Sequence, residues 1–395
     1  MRRIVLLVAL GIASNAAASE PPALTFDDIV QRAVPDPMRL AREARLRRFE
    51  RELASTGRFA REGPNLDAEV GPRRTEDGAR KLEASARIEV PILSGARARA
   101  DADSRLKSAG ADILAAEAVE SRLRLRAAYL DAWFEQERLK LLEAQAETIE
   151  QLVASVRKRV EEGADAPYEA ALVQGELQRS RSESDGARTA LGDAWSALRA
   201  LSDLPADPQA LAPPGAPDLT VPDAIESRFE AGVLRRAVAQ RGSLETAFVD
   251  LDLAQRRSRW SAAATIAKEA NESYATVGAA YRFPRRGEND AWGRERAATA
   301  ATIDRGSVVD AARLGTRFAT VVERARRFGP IASPDEFEGA LHAVTLRMEL
   351  GKERPSLALP VRRQLLEAQG AALQRIRDGH LLIAEIGALT AGEAP

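Results

Sequence analysis

The chain has 395 residues, of which 45% are hydrophobic, only 5% are aromatic and 30% are charged. Apolar content that comes mostly from Ala, Leu and Val, mixed with Arg and Glu, is typical of long helices and coiled coils. The formal net charge of −1 gives no support to a nucleic-acid partner, and the absence of cysteine excludes a disulfide framework, a thiolate metal site and an acylated lipoprotein N-terminus.

The first 18 residues have the pattern of a cleaved secretory signal peptide. Arg2 and Arg3 precede the apolar stretch Ile4–Ala13, and an Ala-x-Ala site predicts cleavage after Ala18. An uncleaved membrane anchor is the alternative, but the apolar stretch is shorter than the roughly 20 residues that a spanning helix needs. No later segment reaches that length without charge, so we expect any contact with lipid to be made by strands.

Apolar and polar residues alternate in two stretches of the first half, which predicts a β-hairpin over residues 66–91. The apolar members are Leu66, Ala68, Val70, Leu82, Ala84, Ala86, Ile88 and Val90. Gly71-Pro72 and Glu76-Asp77-Gly78 supply turn chemistry between them. Strands of about 9 to 11 residues with one apolar face suit a transmembrane β-barrel. A hairpin that caps a soluble helical bundle is the alternative.

A long helical hairpin is predicted over residues 94–202. Its first limb contains no proline, and a helix of that length would extend on the order of 100 Å. Gly163 ends this limb and Pro167 begins the returning one, which places the tip near Ala164 and Asp165. Apolar residues recur along the first limb at the alternating spacings of a coiled-coil seam, namely Leu139, Leu142, Ala146, Ile149, Val153, Val156 and Val160.

The second half repeats the first. Gly351 corresponds to Gly163 and Pro355 to Pro167, both at an offset of 188 residues. Each half runs from a helix through a strand pair to a long helix, a Gly-x-x-x-Pro turn and a returning helix. The predicted organisation is a signal peptide at 1–18, a first repeat at 19–203, a Pro-rich linker at 204–222 and a second repeat at 223–395, whose β-hairpin covers 261–284 and whose helical hairpin covers 291–391.

The number of predicted strands bears on assembly. Four strands cannot close around an interior, because the smallest filled barrels need about eight. Open sheet edges are not tolerated in lipid. If these hairpins span a membrane, several chains must therefore share one barrel, and a shared barrel continued by long helices is a tube.

In their order, these features resemble the TolC-like outer-membrane efflux family, the outer membrane factors, which include a metal-efflux CzcC-like branch. The stretches that carry the resemblance are ARIEVPILSG, RLRAAYLDAWF and VEEGADAPYEAALVQGEL in the first half, and YATVGAAYRFP, MELGKERPSLALPVRRQL and LLIAEIGALTAG in the second. The resemblance implies a mainly α fold with short antiparallel β structure. In that fold a unit of β-hairpin plus long α-helical coiled-coil hairpin is duplicated, and a trimer shares one β-barrel and one α-barrel.

The resemblance also implies a function. The chain would be the outer-membrane channel of a tripartite efflux or type I secretion system, exported by its signal peptide, with its helical body in the periplasm. Its partners would be itself as a homotrimer, a periplasmic adaptor (membrane fusion protein), an inner-membrane pump and outer-membrane lipid, without nucleic acid. Leu24–Arg58 and Val221–Arg259 would be the helices that rise to each β-hairpin. A periplasmic coiled-coil adaptor or scaffold that never enters the membrane is the alternative.

Carried over to this sequence, the adaptor-docking tips comprise Gly163, Ala164, Asp165, Ala166, Pro167, Gly351, Lys352, Glu353, Arg354 and Pro355. The charged members of this set are expected to form a polar rim. Many family members have an Asp six residues after the turn glycine, whereas this chain has Glu169 and Leu357 there. The acidic ring that constricts some family pores is therefore not implied. Gly329-Pro330 and Pro334 predict an interruption in the descending helix of the second half.

Catalytic chemistry is not indicated. The two histidines, His342 and His380, fall in different predicted helices without neighbouring ligands, and we interpret both as ordinary helix residues. We therefore expect no enzyme activity, no cofactor and no metal site. The pattern does not distinguish metal ions, drugs, polysaccharide or a secreted protein as cargo.

Overall fold

The computed structural model describes residues 23–55, 65–74, 80–92, 96–256, 260–269, 272–281, 283 and 287–392. The predicted signal peptide and the Glu76-Asp77-Gly78 turn lie outside the described residues. The described part is mostly helical with one small antiparallel sheet. The expected class, mainly α with short antiparallel β structure, is thereby confirmed.

The elements follow one another in nearly the same order in both halves. The first half contains α1 (Phe26–Gln31), α2 (Pro37–Ser55), β1 (Asn65–Arg74), β2 (Arg80–Ile92), α3 (Ala96–Glu161) and α4 (Pro167–Arg199). The second half contains α5 (Ile225–Glu230), α6 (Val233–Arg256), β3 (Trp260–Glu269), β4 (Glu272–Tyr281), α7 (Glu288–Arg326), α8 (Asp335–Glu349) and α9 (Pro355–Thr390).

The helices predicted ahead of each strand pair are shorter than expected. Leu24–Arg58 contains two helices, because α1 ends at Gln31 and α2 begins at Pro37. The capping box of α1, in which Thr25 and Asp28 exchange hydrogen bonds, fixes its beginning. The second segment is likewise divided, since α5 ends at Glu230 and α6 begins at Val233.

The four strands form one antiparallel sheet in the order β1-β2-β3-β4. Its register aligns the predicted apolar positions across every strand, as in the row that joins Leu66, Ile88, Ala264 and Val277. Side chains alternate between the faces of a strand, so these residues share one face of the sheet. The opposite face carries polar residues, as in the row Asp67, Arg87, Thr265 and Thr276, together with small residues such as Ala267 and Gly278.

The longest helix, α3, has 66 residues and continues through its lone internal glycine, Gly110. Strong helix formers surround that glycine, whose penalty of about 1 kcal/mol is small against the sum over such a length. Lys158 and Arg159 occupy the last turn, where cations interact favourably with the helix dipole.

The described part of the second half contains no helix of that length. α7 ends at Arg326 and α8 begins at Asp335, and the segment between them holds Gly329, Pro330 and Pro334. The predicted interruption is a local loop. Arg375 stabilises this loop. Its guanidinium donates to the Gly329 carbonyl at 3.2 Å and lies 5.4 Å from the ring centre of Phe328.

The chain divides into two compact units, and each contains residues from both halves. Unit 1 comprises residues 1–33, 131–215 and 342–363, and unit 2 comprises 34–130, 216–341 and 364–395. The core of unit 2 includes the stacked rings of Phe229 and Phe318. No helix in the described part of the chain combines the length and the apolar character that crossing a bilayer requires.

The first residues of the Pro-rich stretch belong to unit 1 and pack within it. Leu204 and Leu211 are buried, and Leu211 forms a parallel bridge with Leu24. The side-chain amide of Gln136 accepts from the Leu211 N–H at 3.0 Å and donates to its carbonyl at 3.4 Å. This part of the stretch therefore forms specific contacts with the helical body of unit 1.

Candidate functional site

The two helical turns of unit 1 have the same backbone structure. Gly163 and Gly351 adopt left-handed conformations, with φ of +75° and +64°. The N–H of Ala164 bonds to the Arg159 carbonyl at 2.8 Å, and the N–H of Lys352 bonds to the Arg347 carbonyl at 2.9 Å. With the shorter-range bonds from each glycine N–H, these are Schellman motifs, in which glycine at this position avoids the left-handed penalty of other residues.

A proline begins the helix that follows each turn. Pro167 and Pro355 are the first residues of α4 and α9, a position where the missing N–H has no helical partner to lose. Ala166 precedes Pro167 with an extended backbone and provides no side-chain cap. Pro167 is exposed, whereas Pro355 is buried.

Arg159 links the two turns through hydrogen bonds. Its guanidinium donates to Asp165 at 2.7 Å, to the Ser155 hydroxyl at 3.1 Å and to the Glu349 carbonyl at 3.0 Å. The Arg159 side chain is only 15% exposed. Its stem also packs beside the second turn, since a Cβ built on Gly351 would lie 3.4 Å from Arg159 Cδ. The tip of the first hairpin thereby binds the backbone of the second.

A second link joins the beginnings of the two returning helices. Glu169 is 1% exposed, and its Oε2 accepts from the Ser356 N–H at 2.8 Å. Its Oε1 accepts from the Ser356 hydroxyl at 2.8 Å. The carboxylate thus caps an N–H that has no partner within the first turn of α9, and its charge suits the positive end of that helix dipole.

A buried arginine lies farther along the contact between the two hairpins. Arg362 is 3% exposed and donates to the Thr345 hydroxyl at 3.4 Å. Burial lowers the pKa of Arg362, and the charge of Glu176 only partly offsets that effect. The neighbouring Arg363 donates to Glu176, so the first and second hairpins also share an ion pair.

An apolar cluster lies between these polar links. It includes several residues of the predicted seam and residues from the four helices that flank the turns, α3, α4, α8 and α9. Its buried members are Ile149, Leu152, Val153, Val156, Val173, Leu177, Met348, Ala358 and Leu359. At about 25 cal/mol per Å² of apolar area removed from water, burial of this kind is the principal force that holds the hairpins side by side.

The predicted rim residues occupy different environments. Asp165 is directed toward Arg159 and its side chain is 14% exposed, while Glu353 pairs with Arg347 at 3.6 Å. Lys352 and Arg354 are exposed, as are the small residues Ala164 and Ala166. Among the ten predicted docking residues, the exposed charges are therefore those of Lys352 and Arg354, in the second turn.

Sequence reasoning missed the residues that join the hairpins. Arg159 carried no functional prediction, and Glu169 was identified only as a departure from a family pattern. The internal repeat contained a signal, because Arg159 corresponds to Arg347 and each pairs with an acidic residue six positions later. The spacing of residues along the sequence does not show which side chains of the two hairpins contact each other.

The described residues contain no group of three or more His, Cys, Asp or Glu side chains that could hold a metal ion. His342 is exposed and His380 is buried in α9. The charges at the turns instead form ion pairs within each turn, Arg159 with Asp165 and Arg347 with Glu353.

The sheet of unit 2 offers a second surface of functional interest. Its apolar face is exposed in the chain, with Leu66 at 68%, Ile266 at 66% and Val277 at 87%. An exposed apolar face of this kind marks contact with another protein or with lipid.

Comparison with known proteins identifies the architecture. No protein-family model matches the sequence, and no curated protein matches it. Solved structures do match. The Campylobacter jejuni CmeC outer membrane channel is 12% identical with a TM-score of 0.71, covering 93% of this chain and 85% of that one. A CusC structure concerned with folding and transmembrane channel formation is 11% identical with a TM-score of 0.70, covering 93% and 92%.

A third match is the Vibrio cholerae outer membrane protein VceC, 14% identical with a TM-score of 0.67, covering 93% of this chain and 96% of that one. At such identities the likeness establishes the fold. The chain has the fold of these outer-membrane channels, as the resemblance in the sequence predicted.

Proposed function

We propose that this chain, which has the fold of the TolC-like outer-membrane channels, is a member of that family and the outer-membrane component of a tripartite efflux or type I secretion system. In this role it passes substrate, received from an inner-membrane pump and a periplasmic adaptor, to the exterior. The observation that carries the proposal is the four-stranded sheet with one exposed apolar face.

The sheet fits a lipid environment better than water. Its apolar row of Leu66, Ile88, Ala264 and Val277 crosses all four strands, while a row of charged and hydroxyl side chains crosses the opposite face, namely Asp67, Arg87, Thr265 and Thr276. Strands of a membrane barrel alternate apolar side chains toward lipid with polar ones toward the lumen. The described strands have 10 to 13 residues, long enough to cross a bilayer at a tilt.

Assembly follows from the edges of this sheet. In the described part of the chain, β1 and β4 each pair on one side only. Lipid does not satisfy backbone hydrogen-bonding groups, so both edges need partners. Three copies would supply strands enough for a closed barrel, above the minimum of about eight. We therefore propose a homotrimer with one shared β-barrel, continued into the periplasm by helices.

The adaptor is proposed to dock at the two turns of unit 1. Lys352 and Arg354 are exposed there, and Gly163 and Gly351 make compact turns that a partner can approach closely. Crosslinking to a co-expressed adaptor should decrease when Lys352 and Arg354 are both replaced by Glu. Replacing the exposed Arg179 on α4 by Glu is the matched control, and undiminished crosslinking in the double variant would remove the turns from the docking site.

The channel role is tested by fractionation and conductance together. The proposal predicts that the protein is recovered with outer membranes, needs detergent for extraction and forms conducting pores in planar bilayers. Recovery as a soluble periplasmic protein without conductance would instead favour the scaffold alternative. The proposed role includes no enzyme activity and no cofactor.

A further inference from the structure

The apolar face of the sheet carries one lysine. Lys268 lies two residues beyond Ile266 in β3, on the same face, and is exposed. Its row in the register consists of Val70, Ala84, Lys268 and Ser273. Among the residues of this face whose side chains the structure describes, Lys268 is the only charged one. Its ammonium group is therefore a single cation on an otherwise uncharged surface.

The carboxylates of the sheet lie on the opposite face. Those with described side chains are Asp67, Glu69, Glu83 and Glu89. The cation of that face, Arg87, is paired with Glu89 at 3.5 Å. Lys268, by contrast, forms no ion pair within the described part of the chain. An anionic group that approaches the apolar face therefore meets a cation and no competing carboxylate.

The row of Lys268 lies toward the end of the sheet that is remote from the helices. β3 follows α6 and β4 precedes α7, so the chain continues into both helices from the end where Trp260 pairs with Tyr281. Lys268 is eight residues farther along β3. At about 3.4 Å per residue and a tilt of about 40°, the two rows are roughly 21 Å apart along a membrane normal, close to the apolar band of about 25 Å on membrane barrels.

Aromatic residues mark the opposite boundary of this band. Tyr281 is 39% exposed and Phe283 is 79% exposed, and their ring centres are 5.0 Å apart in an edge-to-face arrangement. Aromatic side chains are enriched where a membrane protein meets the interface between lipid and water. A lysine that faces lipid is costly near the midplane and nearly without cost at an interface. The two rows therefore suit the two interfaces of one bilayer.

We infer that Lys268 binds a phosphorylated lipid headgroup in the outward-facing leaflet of the outer membrane. The inference rests on the proposed channel function, which places the helices in the periplasm and hence Lys268 at the outer surface. A lysine side chain extends along apolar surface and keeps its ammonium group at the level of the headgroups.

The neighbours of Lys268 suit a phosphate group. Ser273 pairs with Lys268 across the two strands and is also exposed. Since side chains paired in this way have Cβ atoms about 5 Å apart, the ammonium and the hydroxyl can both donate to one phosphate. On the other side, Ala84 pairs with Lys268 and is small and exposed, so it leaves the approach open.

Lipid A, the phosphorylated lipid of the outward-facing leaflet, is the probe. The full chain is extracted from outer membranes in detergent, and the binding of diphosphoryl lipid A to the extracted particle is titrated by native mass spectrometry. We expect Lys268→Gln to weaken this binding by about five-fold, the contribution of one basic side chain near an anionic membrane surface. Lys268→Arg keeps the charge and should bind as the wild type does.

Arg87→Gln is the matched control, because it removes a cation from the opposite face of the same sheet. It should leave the binding of lipid A unchanged, and dephosphorylated lipid A should bind the wild type no better than it binds Lys268→Gln. An equal loss in the Arg87→Gln control, or equal binding of the two lipid forms by the wild type, would overturn the inference. Complete displacement of lipid A by inorganic phosphate would assign the site to free phosphate and would overturn it as well.

The outcomes separate this inference from the channel function. A conducting oligomer in which wild type and Lys268→Gln bind diphosphoryl lipid A equally would overturn the headgroup contact and leave the channel function standing. A soluble particle that needs no detergent would instead overturn the proposed function itself.

Discussion

Glu169 caps the helix that begins at Pro355 by accepting both the N–H and the hydroxyl of Ser356, each at 2.8 Å. This contact spans 187 residues of sequence and joins the two hairpins. Glu169→Ala should lower the free energy of unfolding of unit 1 by about 1 to 2 kcal/mol, as loss of a capping side chain does.

Hydrogen exchange gives the local readout for Glu169→Ala. The amides of the first turn of α9 should exchange faster, while those in the middle of α3 should not change. Glu162→Ala, at an exposed glutamate of the same hairpin, is the control and should leave exchange at Ser356 unaltered. Equal effects of the two substitutions would show that Glu169 has no special role.

Replacing glycine by alanine should have opposite effects on stability at a left-handed turn position and inside a helix. Gly163→Ala should destabilise the first turn by about 1 kcal/mol, because φ at this position is +75°. Gly186→Ala should stabilise α4 by about 0.5 to 1 kcal/mol, since Gly186 is helical and a Cβ there meets nothing within 4 Å. Chemical denaturation followed by circular dichroism measures both, and the same sign for both would contradict the assigned turn geometry.

Arg159 and Arg347 occupy equivalent positions but differ in surroundings. Arg159→Ala should destabilise unit 1 by roughly 2 to 3 kcal/mol, because it leaves the largely buried Asp165 without its partner and removes the donor to the Glu349 carbonyl. Arg347→Ala should change stability by less than about 0.5 kcal/mol, since that side chain is 65% exposed. Thermal unfolding of both variants in detergent provides the comparison, and a larger loss for Arg347→Ala would refute it.

Protonation of Asp36 should make the stability of unit 2 sensitive to acid. Burial alone would raise its pKa, but hydrogen bonds from Arg124 at 3.0 Å and from the Met38 N–H at 2.8 Å hold the pKa below its ordinary value of 3.8. Its contribution to stability is therefore complete above pH 3.8 and is lost as pH falls through the lowered pKa of the folded state.

The acid effect is measured by comparing the wild type with Asp36→Asn. The substitution should lower stability at pH 7, and the difference between the two proteins should shrink as pH is lowered below about 4. Asp103→Asn, at an exposed residue of α3, should give no such convergence. A difference that stays constant with pH would exclude Asp36 as the titrating group.

The two faces of β4 should respond differently to charge. Val277→Lys places an ammonium on the apolar face and should reduce recovery in outer membranes, since a lysine facing lipid near the midplane costs about 2 to 4 kcal/mol. Thr276→Lys places the same charge on the opposite face and should retain recovery. Fractionation with quantitative blotting distinguishes the two, and equal recovery of both variants would argue against lipid contact at Val277.

Much of the fold could be predicted because its signals are local. The strict alternation of Leu66, Ala68 and Val70 located a strand, and the register confirmed that these residues align with Ile88, Ala86 and Ala84. Gly163 and Gly351 ended helices as expected, because their left-handed conformations depend on the residue itself.

Contacts between distant segments could not be predicted in the same way. Nothing in the neighbourhood of Glu169 shows that a serine 187 positions away would meet it. The division of Leu24–Arg58 into α1 and α2 was missed as well, because it depends on a bridge between Ala33 and Ser202 as much as on the local proline at position 35. Tertiary context decided the first outcome and contributed to the second.

The central claim is that several copies of this chain form one channel in the outer membrane. The most direct test is the mass of the protein extracted by detergent from isolated outer membranes, measured by light scattering coupled to gel filtration. The account predicts a membrane-derived particle that contains three chains. A soluble particle of one or two chains that needs no detergent would contradict it.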